Sequence, residues 1–481
     1  MVPEIPAVVI GLDVGTSGIR ALAVTARGVV LAEGEAGITD NRAQGSIHEQ
    51  EALEWWRAVC QTLRRVVDKL REEAASTSTV GIAVTSTSGS LVLADSTGFP
   101  VRPAILYDDG RGASIAEDLN RSLSRDEAHF NSSFSLIKAA WVRQDEPAVW
   151  ERARRLLHPA DWLAGKLTGQ FDTTDYSNAL KLGYDPEVGG WSKAVSLLEV
   201  SPQSLPRVVR PGTQVGTVSS QAGAETGLEP GTRVVAGATD GMASLIASGA
   251  SEPSHANTTL GTTIVWKVLS RNKPRLTLGM YCHRHPADLW APGAASNTGP
   301  GSLRCEEPNV KASEMDRVAA DHLPSSTVCY LLRSKGERYP FLNSAAETFA
   351  EGKPASPAEW YAAQLQSLAF VERWGYERLE ECGVAVGDTV FSTGSAAASP
   401  VFSQLRANVL TRAVARCQYP TSAFGAAILA ATDTLYGGDL TAAIRGMTRI
   451  CESYEPSRAL AEGFGPIYTS FRAACARRGY V

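Results

Sequence analysis

The sequence predicts an α/β protein of two related domains, and three observations carry that prediction. A short apolar strand near the start runs into a turn of small hydroxylated residues and returns as a second strand. Strands and helical segments then alternate, and a turn of the same kind recurs in the second half. The chain has 481 residues. Domains usually hold roughly 100–200 residues each, so two large domains are expected, residues 1–250 and 251–481.

Val8-Val9-Ile10-Gly11-Leu12 is the first apolar run, closed by Asp13 and a Gly-Thr-Ser-Gly turn, and Ile19 to Thr25 is rich in β-type residues. A third strand is expected over Gly28 to Ala32. Next comes an amphipathic helix over Glu51 to Arg71, with Leu53, Trp56, Val59, Leu63, Val67 and Leu70 on one face. Val80 to Val84 and Ser90 to Leu93 read as strands around Thr85-Ser86-Thr87-Ser88-Gly89. Asp161 to Leu167 reads as a helix capped by Asp161. Thr232 to Ala236 is a strand closed by Gly237-Ala238-Thr239-Asp240-Gly241, with a helix from Met242 to Ala247. In the second half, Thr258 to Ser270 gives strand signals around Gly261-Thr262-Thr263. Ser356-Pro357-Ala358-Glu359 is a capping box that heads a helix. The strand Thr389-Val390-Phe391 leads through the small-residue loop Gly394 to Ser399 into a helix opened by Pro400.

Composition narrows the function. The net charge is -5 and the pI is near 5.9, which argues against a nucleic-acid partner, since phosphate contacts need a basic face. No run approaches the roughly 18 apolar residues of a membrane span, and no start resembles a targeting peptide, so no membrane partner and a cytoplasmic location are expected. The eight cysteines, Cys60, Cys282, Cys305, Cys329, Cys382, Cys417, Cys451 and Cys475, lack the paired spacing of zinc or redox sites and read as free thiols. Cys282, His283 and His285 lie close in sequence, but alternation along a strand lets at most two of them converge.

Four segments can carry chemistry. The turn Gly15-Thr16-Ser17-Gly18 aims backbone N–H groups and hydroxyls at one point, as an anionic phosphate requires. Asp13 beside it repels phosphate unless a cation such as Mg²⁺ intervenes, so Asp13 is the candidate metal residue. The same octapeptide also reads as a hairpin with good turn residues. Asp240 reads either as a helix N-cap or as the general base for an attacking hydroxyl, held ionised by the helix dipole. Gly261-Thr262-Thr263 is a second phosphate cradle. The loop Gly394 to Ser399 is either a nucleotide site at a helix N-terminus or a plain connection in which Ser399 caps the helix.

Taken in order, these segments resemble the FGGY family of carbohydrate kinases, from about residue 7 to about residue 431. The resemblance rests on Gly11-Leu12-Asp13-Val14-Gly15-Thr16-Ser17-Gly18 with Arg20, on Gly237-Ala238-Thr239-Asp240 with Ala247-Ser248-Gly249-Ala250, on Leu260-Gly261-Thr262-Thr263, and on the Gly394 loop. Within the family the chain is similar to the D-ribulose kinase and xylulose kinase-like branch. The segments behind this are Thr87-Ser88-Gly89-Ser90, Ser133 to Lys138, Ala160 to Leu163, Asn178 to Tyr184, Ser296 to Gly299 and Gly336 to Pro340.

The resemblance implies two ribonuclease H-like domains of the actin/hexokinase ATPase type flanking a deep cleft. It also implies an N-terminal FGGY-type sugar kinase domain, a C-terminal nucleotide-binding domain, ATP and Mg²⁺. The expected reaction is transfer of the γ-phosphate to a terminal hydroxyl of a ketopentose, D-ribulose first and D-xylulose next. Asp240 and Asp13 would be catalytic. Gly15, Thr16, Ser17, Gly261, Thr262, Thr263, Gly394 and Ser399 would bind the nucleotide, and Ser88, Asp240, Lys138, Asp109 and Arg111 the sugar. The expected partners are thus a sugar and a nucleotide; a homodimer is compatible with the sequence, which sets no oligomeric state.

This chain departs from the family at the adenosine loop. Where the family reads three glycines, alanine, a variable residue and asparagine, it has Gly394-Ser395-Ala396-Ala397-Ala398-Ser399. Pro420 to Gly425 lacks the usual acidic residue, and Pro300 stands where relatives have glycine. These changes support an alternative, a catalytically weak or inactive sugar-binding paralogue acting as a sensor or interaction protein.

Overall fold

The run Ala7–Val14 is buried at almost every position and forms β1, the centre of a six-stranded sheet. The computed structural model describes residues 7–73, 77–124, 127, 129–277, 279–304 and 312–480, and Cys305 lies outside them. Strand β1 turns back through Gly18–Thr25 (β2), and Val30–Gly37 (β3) completes an antiparallel meander. On its other side β1 pairs in parallel with Ser78–Ser86 (β4), which pairs in parallel with Arg233–Val235. Gln214–Thr217 (β5) closes the edge, antiparallel to that strand, β6.

The first long helix, α1 (Ala52–Glu73), buries Trp55, Trp56, Val59, Leu63, Val66, Val67 and Leu70 against this sheet. Leu53, expected on the same stripe, is 44% exposed. At roughly 100° per residue it lies at the stripe's edge. The helix expected from Asp161 begins two residues earlier, as α2 (Pro159–Thr168). His158 is its N-cap, and Asp161 is the acidic third residue of a capping box, accepting from the His158 backbone N–H at 2.9 Å. Asp240 likewise is not a cap. It opens α3 (Asp240–Ala247), and the carbonyl of Thr239 before it accepts from Met242 and Ala243.

The second sheet repeats the plan. Its centre, Ala256–Leu260 (β7), turns back as Ile264–Val268 (β8). The antiparallel side continues with Met280–His285 (β9) and Leu289–Ala295 (β10), in the spatial order β8, β10, β9. On the other side lie two parallel strands, Thr389–Thr393 (β11) and Ala413–Cys417 (β12), and then antiparallel Ile450–Tyr454 (β13). Both sheets therefore have a central strand, an antiparallel meander on one side, two parallel strands on the other and an antiparallel edge. This is the expected doubled α/β architecture.

Beneath β7 a fully buried ion pair joins the helix Pro357–Glu381 (α4), capped by Ser356, to Pro400–Leu410 (α5). Arg406 donates to both oxygens of Glu372 at 2.6 and 2.7 Å, and its other terminal nitrogen donates to Ser392 Oγ on β11 at 2.8 Å. Thr258 on β7 donates to the same carboxylate at 2.6 Å. Four elements thus meet at one buried charge pair.

Two compact units result, Met1–Ala247 with Thr421–Met447, and Ser248–Pro420 with Thr448–Val481. The expected boundary at 250 describes a single crossing of the chain, whereas here the chain returns to the first unit for one segment. The reason is α6 (Ser422–Thr434), whose small residues let its backbone lie against β1 and α3. A Cβ on Gly11 would stand 1.9 Å from the Ala423 carbonyl oxygen, and one on Gly425 would stand 1.9 Å from that of Ala243. Among the described residues no helix is long and apolar enough to cross a membrane.

Removing one member of the buried pair strands the other's charge. Glu372→Ala should therefore destabilise the second unit by about 3–5 kcal/mol, read as a fall in the denaturant midpoint.

Candidate functional site

In the first unit the β1–β2 turn is closed by the Gly15 N–H donating to the Gly18 carbonyl at 3.0 Å. The Thr16 carbonyl accepts from Gln50 Nε2 at 2.8 Å and the Ser17 carbonyl from the Ile38 N–H at 3.1 Å, so the turn is tied down from outside. Asp13 sits one residue before the end of β1, opposite Thr85 on β4 and Arg20 on β2.

Because β1, β4 and β6 run parallel, their C-terminal ends point the same way. Beyond β6, Thr239 forms a parallel bridge with Ser86, the last residue of β4. Asp240 follows, half-buried. Asp13 and Asp240 are close enough to interact: burial first, and then the charge of Asp240, push the Asp13 carboxyl up to about 7 against the pull of Arg20.

Around Asp240 stand groups of opposite character. Ser88 Oγ is buried without a protein partner. Lys181 donates to the Ser88 carbonyl at 3.2 Å and to Ser133 Oγ at 3.3 Å. Burial lowers its ammonium pKa to about 8, against the opposing pull of Asp240. Lys138, buried on the helix Ser135–Asp145, donates to the carbonyls of Ser132 (2.6 Å) and Tyr107 (3.2 Å). Burial and then the charge of Lys181 lower it to about 7. Tyr107 also feels Asp240, as burial, Asp108 and Asp240 all raise its phenol. Sequence reasoning assigned no role to Lys181 or Tyr107. The signals available were the branch segment Asn178 to Tyr184, in which a lysine is set in the apolar run Ala179-Leu180-Lys181-Leu182, and the place of Tyr107 two residues before Asp109.

Asp109 and Arg111 are occupied with each other. Arg111 donates to both Asp109 oxygens, at 3.0 and 3.1 Å from Nε and 2.8 Å from a terminal nitrogen, and also pairs with Glu49 at 2.5 Å. The guanidinium lies 4.1 Å from the Trp141 ring centroid. Asp109 further accepts from the His48 N–H at 2.9 Å. Burial alone would raise its carboxyl; the Arg111 and backbone hydrogen bonds outweigh that and hold it low. Both residues therefore shape the loop that carries Tyr107 and Asp108.

In the second unit the turn Gly261-Thr262-Thr263 joins β7 to β8, closed by the Gly261 N–H to the Thr263 carbonyl at 3.2 Å, with Thr262 exposed. Strand β11 lies beside β7, with Thr259 Oγ1 and Thr393 Oγ1 2.8 Å apart. Gly394 follows Thr393, so the turn and the Gly394 loop emerge from neighbouring strands. Ser395–Ala398 forms a single 3₁₀ turn, and Ser399 Oγ caps α5 by accepting from the Phe402 N–H at 3.1 Å. The capping reading of Ser399 is thus realised, which commits that hydroxyl to the helix.

The donor set suits a hard divalent cation. A carboxyl whose charge is penalised by burial and by a second carboxylate is relieved by Mg²⁺, which binds through one or two carboxylates and completes its shell with water and phosphate. Among the described residues no group of three or more His, Cys, Asp or Glu could hold a metal. Cys282, His283 and His285 accordingly form no such group.

The N-terminal domain model of the FGGY family of carbohydrate kinases matches residues 8–247, and its C-terminal domain model matches residues 291–433. The chain is 24% identical to a xylulose kinase of Staphylococcus epidermidis over 97% of its own length and 96% of that protein's. It is 32% identical to the xylulose kinase of Streptomyces rubiginosus over 55% of each chain. The crystal structure of xylulose kinase from Rhodospirillum rubrum superposes with a TM-score of 0.85 at 24% identity, covering 98% of both chains.

An orphaned hydroxyl and a saturated ion pair answer differently to deletion. Ser88→Ala should leave the ligand-free protein as stable as the wild type, or slightly more so, because no hydrogen bond is lost. Asp109→Ala, which leaves Arg111 with Glu49 as its remaining carboxylate and the His48 N–H without its acceptor, should cost about 1–3 kcal/mol. Thermal unfolding of the two variants checks the contrast.

Proposed function

Since the chain belongs to the FGGY family of carbohydrate kinases, we propose that this sugar kinase transfers the γ-phosphate of ATP to a terminal hydroxyl of a ketopentose. The observation that carries this reading is the meeting of Asp13, Asp240, Ser88 and Lys181 at the C-terminal ends of β1, β4 and β6. The names of the similar proteins favour D-xylulose as the first sugar to test, with D-ribulose second. The cytoplasm, where ATP is abundant, is the setting proposed for the reaction.

In this reading Asp240 accepts the proton of the attacking hydroxyl. A carboxylate suffices, because phosphoryl transfer depends more on positioning and charge than on base strength. Ser88, with a hydroxyl unclaimed by protein, and Lys181, beside Asp240, hold sugar hydroxyls, with Lys138 behind them. Asp109 and Arg111 support this pocket from the loop they brace. Asp13 is the residue proposed to hold Mg²⁺, which when bound supplies positive charge against the phosphate oxygens. The turn Gly15-Thr16-Ser17 offers N–H groups to phosphate. Gly261-Thr262-Thr263 and the loop from Gly394 to Ser399 are proposed to take the nucleotide.

The substituted loop Ser395-Ala396-Ala397-Ala398 favours a second reading of one property only, weak binding of the adenosine moiety. Calorimetric titration with ATP and Mg²⁺ is expected to give a dissociation constant in the high-micromolar range or weaker. Sugar binding without any heat from millimolar ATP would instead support the sensor reading.

Asp240→Asn is expected to lower kcat by about 10²–10⁴, the usual contribution of a general base, with sugar affinity within threefold of wild type. An ADP-release assay over ketopentoses, ketohexoses and polyols reads both rate and sugar preference. Wild-type turnover by Asp240→Asn would remove the base assignment.

A further inference from the structure

We infer that Ser177 is a positioning residue for phosphoryl transfer: its buried hydroxyl clamps the backbone immediately before Asp240 and so sets where the base stands. The inference rests on the reading of Asp240 as the base. Ser177 belongs to the one-turn helix Tyr176–Ala179 and is 2% exposed. The Thr239 N–H donates to its Oγ at 3.0 Å. Thr239 is 3% exposed, so this donor has no route to bulk water.

The direction of the serine proton is also set. Ser177 Oγ donates to Asp175 Oδ1, which accepts in addition from the backbone N–H groups of Ser177 (2.7 Å) and Asn178 (3.2 Å). The other oxygen, Oδ2, accepts from Asn178 Nδ2 at 2.6 Å. Oδ1, already accepting two backbone N–H groups, serves as an acceptor, and the Thr239 N–H needs one, so the hydroxyl points its hydrogen at Asp175 and turns a lone pair toward Thr239. The chain Asp175, Ser177, Thr239 thus has one polarity and ends one residue before Asp240.

The same short helix leads directly to Lys181, whose ammonium feels Asp240 and is bonded to the Ser88 carbonyl. Other bonds locate the neighbourhood without replacing this one. Thr85 Oγ1 donates to the Ala238 carbonyl at 2.7 Å, and Ser422 Oγ donates to the Asp240 carbonyl at 3.2 Å. Ser177 Oγ is the side-chain acceptor of the Thr239 N–H, beside the backbone bridge from Thr239 to Ser86. Deleting its hydroxyl leaves a buried donor that must move to find a partner. A shift of about 1 Å in a catalytic group can cost on the order of 10²-fold in rate.

Steady-state kinetics of Ser177→Ala, Ser177→Thr, Asp240→Asn and the double variant Ser177→Ala/Asp240→Asn test this in the full-length chain, with ATP, Mg²⁺ and the best sugar of the panel. The alanine variant should lose 10- to 100-fold in kcat with both KM values within threefold, and threonine, which keeps the hydroxyl, should return kcat to within threefold of wild type. On the Asp240→Asn background, Ser177→Ala should change the residual rate less than twofold, because its effect passes through the base. A kcat within twofold of wild type for the alanine variant, or an equal fold-loss with and without Asp240, would overturn the role. If the alanine variant does not accumulate folded, Ser177→Cys, a poor acceptor of nearly the same size, is read by the same criteria. Full activity of Asp240→Asn removes the premise as well, whereas an inactive Asp240→Asn beside an unimpaired Ser177→Ala overturns Ser177 alone.

Discussion

Asp13 and Asp240 hold like charges at the same end of one sheet, and the first unit is built so that neither can retreat from the other. Asp13 is locked by register, paired with Arg20 on one side and Thr85 on the other. Asp240 is held through its neighbours: Thr239 bridges Ser86, Ser177 takes the Thr239 N–H, and Ser422 donates to the Asp240 carbonyl. Left to itself such a pair would move apart or take up a proton, and the Asp13 pKa is raised by burial first and by the Asp240 charge in addition. Partners that remove the tension are a divalent cation, a proton in transit or a cationic side chain such as Lys181.

The second unit meets a different demand with the same topology. Its turn and its Gly394 loop carry no carboxylate, and below the sheet it seals the fully buried Glu372–Arg406 pair. A buried pair of this kind adds little net stability over apolar packing, but its hydrogen bonds fix geometry. Thr258 on β7 and Ser392 on β11 both report to it, and these two strands deliver the Gly261 turn and the Gly394 loop. The repetition of sheet order in the two units therefore carries two chemistries: acid groups and lysines in one, N–H-rich turns in the other.

Local features were legible in the residue order. The hairpin at Gly15 to Gly18, the Ser356 cap with Pro357 and the Ser399 cap with Pro400 all depend on hydrogen bonds within four residues, and all formed, though the Glu359 side chain reaches the Ala355 N–H and so leaves the expected capping box half made. Where local reading slipped, it did so by a turn or less. Asp161 and Asp240 are acidic first-turn residues, because His158 and Thr239 ahead of them already sit at the boundary. The kinship of the two halves was also visible, since the same strand–turn–strand signal occurs at Asp13 and at Gly261.

By itself, then, the sequence determined the alternation of strands and helices, the two hydroxyl-rich turns and the set of residue types able to handle phosphate and a sugar hydroxyl. Periodicity and turn chemistry act over a few residues, so order alone suffices for them. Only the tertiary structure decided that Lys181 and Tyr107 stand with Asp240, that Asp109 is spent on Arg111, that Ser177 secures Thr239 and that α6 belongs to the first unit. Those outcomes rest on contacts such as Lys181 to Ser88 and Ser422 to Asp240, which join residues 93 and 182 positions apart. Their physical cause is sheet pairing and close backbone packing, and neither leaves a mark on the neighbouring residues of the chain.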